Sequence, residues 1–411
     1  MSKITESTLI DKCLITGKPV TKILDFGQHA YADTFIAEHQ VNLSEPVFPL
    51  QVYLNPESGS IQLGYSSNAE DRYNLYSYSY TSSNSKTSRD HWDEYANAIK
   101  SKYATEGLVV EIGSNDGYLI NHFNQPGTKA IGVDTSADMC EISRARGVET
   151  ITALFGTDVG AAIEIANGPA KVIMANNVFN HANDPVGFAK AVADLLADDG
   201  VFVFEVPYWG WMVTNGKFPD MTYHEHPTYF TVKMAQNVLA KAGLSIASYE
   251  LVNYHGQSLR VVAHHSNVLT NQVADSIAQE TAQGLFDPVF YDELQLQLIE
   301  QRNEWLKKFY DIVTNEPNAV IIGVGAAAKA NTWLNWHGLN KTHLHCITDS
   351  SEFKQGKYTP LSRIPILSDD EFARHENPYA LVLSWNIGEP LKNALLKINP
   401  NTKFIDRKSV V

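Results

Sequence analysis

From about Asp90 onward, short apolar runs alternate with stretches of helical periodicity, and no other feature restricts the fold as strongly. Leu108–Ile112, Ala130–Val133, Lys171–Met174 and Val201–Val206 read as buried strands. Helices are expected from about Gly117, near Met139–Arg146 and over Pro185–Leu196. Strand and helix in regular alternation give a parallel, doubly wound α/β sheet, because each parallel strand must be reached by a crossover. Leu244–Leu251 and Ser258–Ala263 read as an antiparallel hairpin closing that sheet. A helical region over Asn271–Asn315, with breaks at Gly284 and Pro288, leads to a second, shorter α/β unit. Its strands are expected at Ala319–Ile322, Leu344–Ile347 and Ala380–Ser384. Ahead of all this, Val20–Leu24, Val47–Tyr53 and Ser60–Gly64 are separated by Pro19, Pro46 and Pro56–Gly59, the pattern of a small β-rich module. The expected division is therefore 1–72, 73–266 and 267–411.

Charge and cysteine content narrow the function. Lys and Arg total 32 against 46 Asp and Glu, a net charge of −14, and no basic stripe interrupts the acidity. Nucleic acid and anionic membrane surfaces are not expected partners. Cys13, Cys140 and Cys346 lie far apart, which excludes a disulfide scaffold and fits a reducing compartment. Neither an apolar leader nor a run of about 18 apolar residues occurs, so a soluble, cytoplasmic protein is expected.

Two segments carry chemistry. Glu111–Ile112–Gly113–Ser114–Asn115–Asp116–Gly117 puts two glycines at a strand-to-helix turn, where positive φ and close ligand approach are allowed. Asp134 ends the next strand, placed to accept bonds from a ribose diol. The spacing is not Gly-x-Gly-x-x-Gly, and acids at Glu111 and Asp116 would repel a pyrophosphate. A cationic, phosphate-free ligand such as S-adenosylmethionine suits the turn, with an ordinary tight turn as the bland alternative.

The second segment, Tyr223–His224–Glu225–His226, follows a strand end and a loop over Pro207–Asp220. A histidine held by a carboxylate at that place suits proton transfer near neutral pH, and a tyrosine suits donation to an oxyanion. His181, in Asn177–Val178–Phe179–Asn180–His181, is expected to point into the same cleft. A His224/His226 metal pair and a purely structural loop cluster are the competing readings.

Together these segments resemble the nucleotide-sugar C-methyltransferases. Further matching segments are Cys13 to Asp33, Tyr78–Tyr80–Thr81–Ser82–Ser83, Asn176–Asn177, His255–Gly256–Gln257–Ser258–Leu259–Arg260, Gly323–Val324–Gly325 through Lys329–Ala330–Asn331–Thr332, and Gly356–Lys357–Tyr358–Thr359–Pro360. The resemblance implies a class I methyltransferase Rossmann domain over 73–266, a Rossmann-like nucleotide-sugar-binding domain over 267–411, and a zinc-binding-like module over 1–72. It implies methylation of carbon 3 of a nucleotide-linked 4-keto-deoxysugar through an enolate. The catalytic set would be His226 as base, Glu225 as its partner, and Tyr223 and His181 near the enolate oxygen. S-adenosylmethionine would be held by Glu111, Gly113, Asn115, Gly117, Asp134, Asn176 and Asn177. The sugar nucleotide would meet Tyr78, Tyr80, Ser83, His224, Lys329, Asn331, Lys357 and Tyr358. The expected assembly is a monomer or homodimer.

The chain departs from that family at its zinc module. Cys13 is kept, but Thr16, Asn55 and Ser58 stand where the other three thiolates would be, so no zinc is expected there. The second glycine turn, Gly323–Val324–Gly325 with Ala328 and Asp349, also suits a dinucleotide. An NAD-dependent sugar oxidoreductase or epimerase, and an O- or N-methyltransferase, are the alternative functions.

Overall fold

The computed structural model describes residues 8–66, 81–83, 85–103 and 106–405. The N-terminal part carries strands β1 (Thr8–Leu9), β2 (Thr21–His29), β3 (Phe48–Asn55), β4 (Ser60–Leu63) and β5 (Tyr65–Ser66). The central part carries β6 (Gly107–Ile112), β7 (Thr128–Asp134), β8 (Glu149–Thr152), β9 (Ala170–Asn176), β10 (Leu196–Pro207), β11 (Thr228–Tyr229), β12 (Leu244–Val252) and β13 (Ser258–His265). The C-terminal part carries β14 (Ile321–Val324), β15 (Cys346–Thr348), β16 (Ile366–Leu367), β17 (Tyr379–Val382) and β18 (Lys403–Ile405).

The central strands form a seven-stranded sheet in the order β12-β13-β10-β9-β6-β7-β8. It is parallel except for β13, which runs antiparallel to both β10 and β12. Strand alternation sorts the core into two layers. Val110, Ile112, Ile173, Phe202 and Phe204 pack on one face, under the helices Pro185–Leu195 and Val232–Ala240. Val109, Val172, Met174 and Val203 pack on the other. There the helix Lys86–Lys102 supplies Trp92, Tyr95, Ala96 and Ile99, spaced three and four apart along one stripe. A sheet buried on both faces needs near-continuous apolar strands, as β6 and β9 are.

The C-terminal strands form a wholly parallel sheet in the order β16-β15-β14-β17-β18. The N-terminal sheet is antiparallel, and one of its strands comes from far along the chain. Its order is β11-β4-β3-β2, with Thr228 opposite Gln62 and Tyr229 opposite Ile61. Leu50, Val52, Leu54, Ile61 and Leu63 of that sheet share a core with Trp209, Phe218 and Tyr229 and with the long helix Pro288–Asn315. Trp209 is fully buried there, and its indole N–H donates to the Tyr291 hydroxyl at 2.7 Å.

At the positions of the missing thiolates, Cys13 Sγ lies 3.2 Å from Ser58 Oγ. Asn55 Oδ1 accepts both the amide and the hydroxyl of Ser58, while its Nδ2 donates to the Pro19 carbonyl. Hydrogen bonds thus join the Cys13 loop to the Asn55–Ser58 turn.

The element pattern differs from the sequence reading in places. The helix expected from Gly117 is a single turn, Tyr118–Asn121, and the 207–220 segment holds a helix at Trp209–Thr214. Strands β8, β16 and β18 and the helices Lys86–Lys102, Thr157–Asn167 and Val232–Ala240 were not expected. The short strands form through backbone pairing to strong neighbours, so their own residues signal them weakly. Among the described residues no helix is long and apolar enough to cross a membrane.

Because Trp209 sits in the core shared by the N-terminal sheet and the helix Pro288–Asn315, Trp209→Ala should cost about 3–5 kcal/mol of unfolding free energy in urea. A loss below about 1 kcal/mol would show that this core is not shared.

Candidate active site

A cleft of about 1250 Å³ opens at the C-terminal ends of β6, β7, β9 and β10, with residues that follow β14, β15 and β17 forming its far wall. Ligands of open α/β sheets bind at this edge, where the strand order reverses.

The β6 turn forms one end. Gly113 has φ +69°, and a Cβ there would lie 2.2 Å from Val178 Cγ2, so no other residue fits. Gly117 has φ +74° and abuts Ser143 in the same way, although it does not line the cleft. Asp134 holds the turn: its Oδ2 accepts the Asn115 amide and its Oδ1 the Ser136 amide, each at 2.8 Å. Each oxygen keeps a second lone pair for a ligand hydroxyl. Glu111 lines the cleft with one buried carboxylate oxygen that has no partner among the described residues. Burial, reinforced by Asp116 and Asp134, pushes its carboxyl well above the usual range. An orphaned carboxylate oxygen beside a glycine turn fits a cationic ligand. Asn176 and Asn177 complete this end of the cleft, Asn177 with φ +54°.

Asp116 corrects the sequence reading. It does not face the ligand space; it accepts from Ser82 Oγ at 2.6 Å, from the Ser83 hydroxyl, and from Arg146 at 3.0 Å. Its charge is spent on tethering residues 82–83, so the acids that face the cleft at this turn are Glu111 and Asp134.

The tyrosine–histidine segment forms the middle of the cleft. Tyr223, Glu225 and His226 line it, as does His181 from the 3-10 turn Phe179–His181 after β9. The Tyr223 and His226 rings lie 4.0 Å apart, and the His181 ring meets that of His226 at 4.7 Å. The His226 amide donates to the Tyr223 carbonyl, closing a tight turn, and β11 pins the segment immediately afterwards. That turn sends His224 the opposite way. Its Nε2 lies 3.2 Å from the Phe48 carbonyl and its ring packs against Tyr31 and Phe48. His224 is thus placed in the N-terminal module, away from both the expected sugar contact and a His224/His226 metal pair.

Of the remaining expected contacts, Lys329 lines the cleft, its Nζ 5.5 Å from the Trp385 ring. Ser83, Asn331, Lys357 and Tyr358 do not. Asn331 is fully buried and donates to the Ala32 carbonyl at 2.6 Å; Tyr358 exchanges both backbone hydrogen bonds with Ile36. Lys357 bonds through its amide to Lys354 O. Tyr78 and Tyr80 lie outside the described residues. The clamps at Asn331 and Tyr358 hold the Tyr31–Ile36 stretch against the cleft, and this brings in a residue that sequence reasoning missed. Asp33 lines the cleft, and its amide donates to Glu225 Oε1 at 3.0 Å. Burial pushes its carboxyl up to about 6, with Lys354 opposing and Asp349 reinforcing. Lys354, His255 and Trp385 also line the cleft. Burial, then the charges of Lys329 and His91, push His255 down to about 3, so its imidazole is neutral. Positive φ at His255 (+53°), followed by Gly256, marks a tight turn, and the neighbouring His-Gly pair was its one sequence signal.

Residues 89–249 match the methyltransferase domain family, and residues 253–405 match the C-methyltransferase C-terminal domain family. The chain is an S-adenosylmethionine-dependent methyltransferase that carries a C-methyltransferase C-terminal domain. It is 29% identical over 383 residues to the C-methyltransferase NovU of Streptomyces niveus, covering 92% of this chain and 90% of that protein. Among solved structures it is similar to magnesium protoporphyrin IX methyltransferase of Synechocystis PCC 6803 with bound S-adenosylmethionine, at 16% identity and TM-score 0.33, over 43% of this chain and 79% of that one. The PH0226 protein of Pyrococcus horikoshii OT3 gives 17% identity and TM-score 0.36, over 46% and 95%. The enzyme's class makes S-adenosylmethionine, rather than NAD, its cofactor.

Two measurements test these assignments. A carboxyl raised by burial in the free enzyme should be driven toward ionisation when the sulfonium and ammonium of S-adenosylmethionine arrive, so binding should release protons over the pH range in which the free enzyme's carboxyl titrates. Calorimetry in buffers of different ionisation enthalpy should detect the release, and Glu111→Gln should abolish it while weakening binding at least tenfold. For Asp33, the folded carboxyl titrates at about 6 and the unfolded one near 3.8. The folded chain therefore holds an extra proton in that window, and stability falls as pH rises through it. Asp33→Asn should lack this loss: relative to wild type, its urea midpoint should improve between pH 4.5 and 7. Equal slopes in both proteins would remove Asp33 from this role.

Proposed function

We propose that the enzyme methylates carbon 3 of a nucleotide-diphosphate-linked 4-keto-deoxysugar by base-assisted enolate formation. The observation that carries this reading is the convergence of His226, Tyr223 and His181 in one cleft with the Glu111–Asp134 turn. A ketone at carbon 4 acidifies the neighbouring C–H bonds, so the reaction needs a base near that hydrogen and donors at the ketone oxygen.

His226 takes the carbon 3 proton onto an imidazole nitrogen. Tyr223, with its ring 4.0 Å from that of His226, donates to the oxygen that becomes the enolate, and His181 borders the same space. Glu225 holds the segment in place through its bond from the Asp33 amide. Glu111 and Asp134 would hold S-adenosylmethionine, which when bound supplies an electrophilic methyl group. Lys329 and Lys354, on the opposite wall, offer positive charge to the diphosphate, with Lys329 in the first turn of the helix Ala328–Trp336.

Carbons 3 and 5 both flank a carbon 4 ketone, so the position of the methyl is the decisive readout. With a panel of 4-keto nucleotide sugars, product NMR should place the new methyl on carbon 3. A methyl on carbon 5, oxygen or nitrogen would overturn the proposal. His226→Ala should abolish exchange of the carbon 3 hydrogen with solvent deuterium; undiminished exchange would take the base's role from His226.

A further inference from the structure

Away from the cleft, the C-terminal sheet carries a cluster that methyl transfer does not use. His345 stands immediately before β15, its amide bonded to the Ile321 carbonyl at 2.9 Å. Glu371 lies in the 3-10 helix Asp369–Arg374 and His375 follows it directly. Asn399 Nδ2 donates to the carbonyls of Phe372 (2.9 Å) and His375 (2.7 Å), which fixes the turn between the two.

The side chains converge on one point. His345 Nε2 lies 3.0 Å from Glu371 Oε1, and His375 Nε2 lies 3.3 Å from the same oxygen. The three ligating atoms all lie within 4.8 Å of one another, and the two imidazole rings stand nearly perpendicular, at 79°. In a tetrahedral zinc site, bonds of about 2.0–2.2 Å to histidine nitrogen and carboxylate oxygen put neighbouring donor atoms about 3.3 Å apart. Two of the three edges are therefore already at ligand spacing. The remaining acceptor, Glu371 Oε2, takes Arg374 Nη1 at 2.9 Å, which leaves Oε1 for the cation. Glu371 is buried and His345 is half exposed, so the site has a fixed floor and an open side for a water as fourth ligand.

We propose that His345, Glu371 and His375 form a site for a zinc-class divalent cation, joining the start of β15 to the Asp369–Arg374 turn. Two imidazoles and one carboxylate are a donor set for zinc, and for the related ions cobalt and nickel, rather than for magnesium or calcium. The site is separate from the Cys13 loop, where three of the four thiolates are lacking. The rival is a hydrogen-bonded ion network, in which each Nε2 carries a proton toward Glu371 and no lone pair is offered to a metal.

The full-length chain, stripped of metal by a chelator, should be titrated with Zn²⁺ in competition with a chromophoric chelator, and with Co²⁺ followed by visible absorption. One equivalent should bind, with a tetrahedral cobalt spectrum and a raised thermal midpoint. His375→Ala and the exposed-side variant His345→Ala should each weaken zinc binding at least 100-fold while still binding S-adenosylmethionine, which reports that they fold. Cys13→Ser should leave zinc binding unchanged. Absence of binding at micromolar zinc, or affinity unaltered in both histidine variants, would overturn the site. So would zinc lost with Cys13→Ser, which would place it in the N-terminal module.

Discussion

The pairing of β11 with β4 is the constraint on which the rest of the molecule depends. A two-residue strand is weak alone, but Thr228 and Tyr229 take registered places on an existing sheet, and the Leu63 amide also bonds the Pro227 carbonyl. The segment just before it, Tyr223–His226, is thereby fixed at its exit, while its entry is fixed by the buried Trp209 helix. A loop anchored at both ends in separate cores can present Tyr223 and His226 to the cleft with reproducible geometry.

The fold was legible where periodicity was strong. The parallel strands β6, β7, β9, β10, β14, β15 and β17, the β12–β13 hairpin and the break between the helices Asn271–Ala282 and Pro288–Asn315 follow from apolar runs, Gly284 and Pro288. The participation of β11 in the N-terminal sheet was not legible, because two residues carry no period and the partner lies far away in sequence. The same limit applied to the site. Residues whose chemistry announces itself, such as Glu111, Asp134, His181 and His226, do line the cleft. His224 does not, since alternation along a tight turn sends adjacent side chains to opposite sides. Asn331 and Tyr358 look like ligands by residue type, yet tertiary context uses Asn331's amide and Tyr358's backbone as clamps. Asp33 closes the matching segment that starts at Cys13, but its residue type gives it no role there; it reaches the cleft because those clamps hold its segment in place.

The two glycine turns share one construction and differ in charge. In each, an acid at the end of the neighbouring strand accepts an amide of the turn at 2.8 Å: Asp134 from Asn115, and Asp349 from Ala326. Gly113 and Gly325 both have positive φ and both would collide with a neighbour if they carried a Cβ. The first turn has Glu111 with an unpartnered buried oxygen beside it; the second has Lys329 and Lys354. Identical backbone devices can thus face each other across one cleft with opposite charge preference, a cationic donor suiting one side and an anionic acceptor the other.

The strap from Tyr31 to Ile36 also sets an order of events during synthesis. It is among the first parts of the chain to be made, yet its anchors are the side chain of Asn331 and the backbone of Tyr358, some three hundred residues later. Contacts so distant in sequence form late, because the loop between them must close first. Asp33 therefore takes its position only after most of the chain has been translated, so the cleft stays incomplete throughout growth and closes only at a late stage of folding.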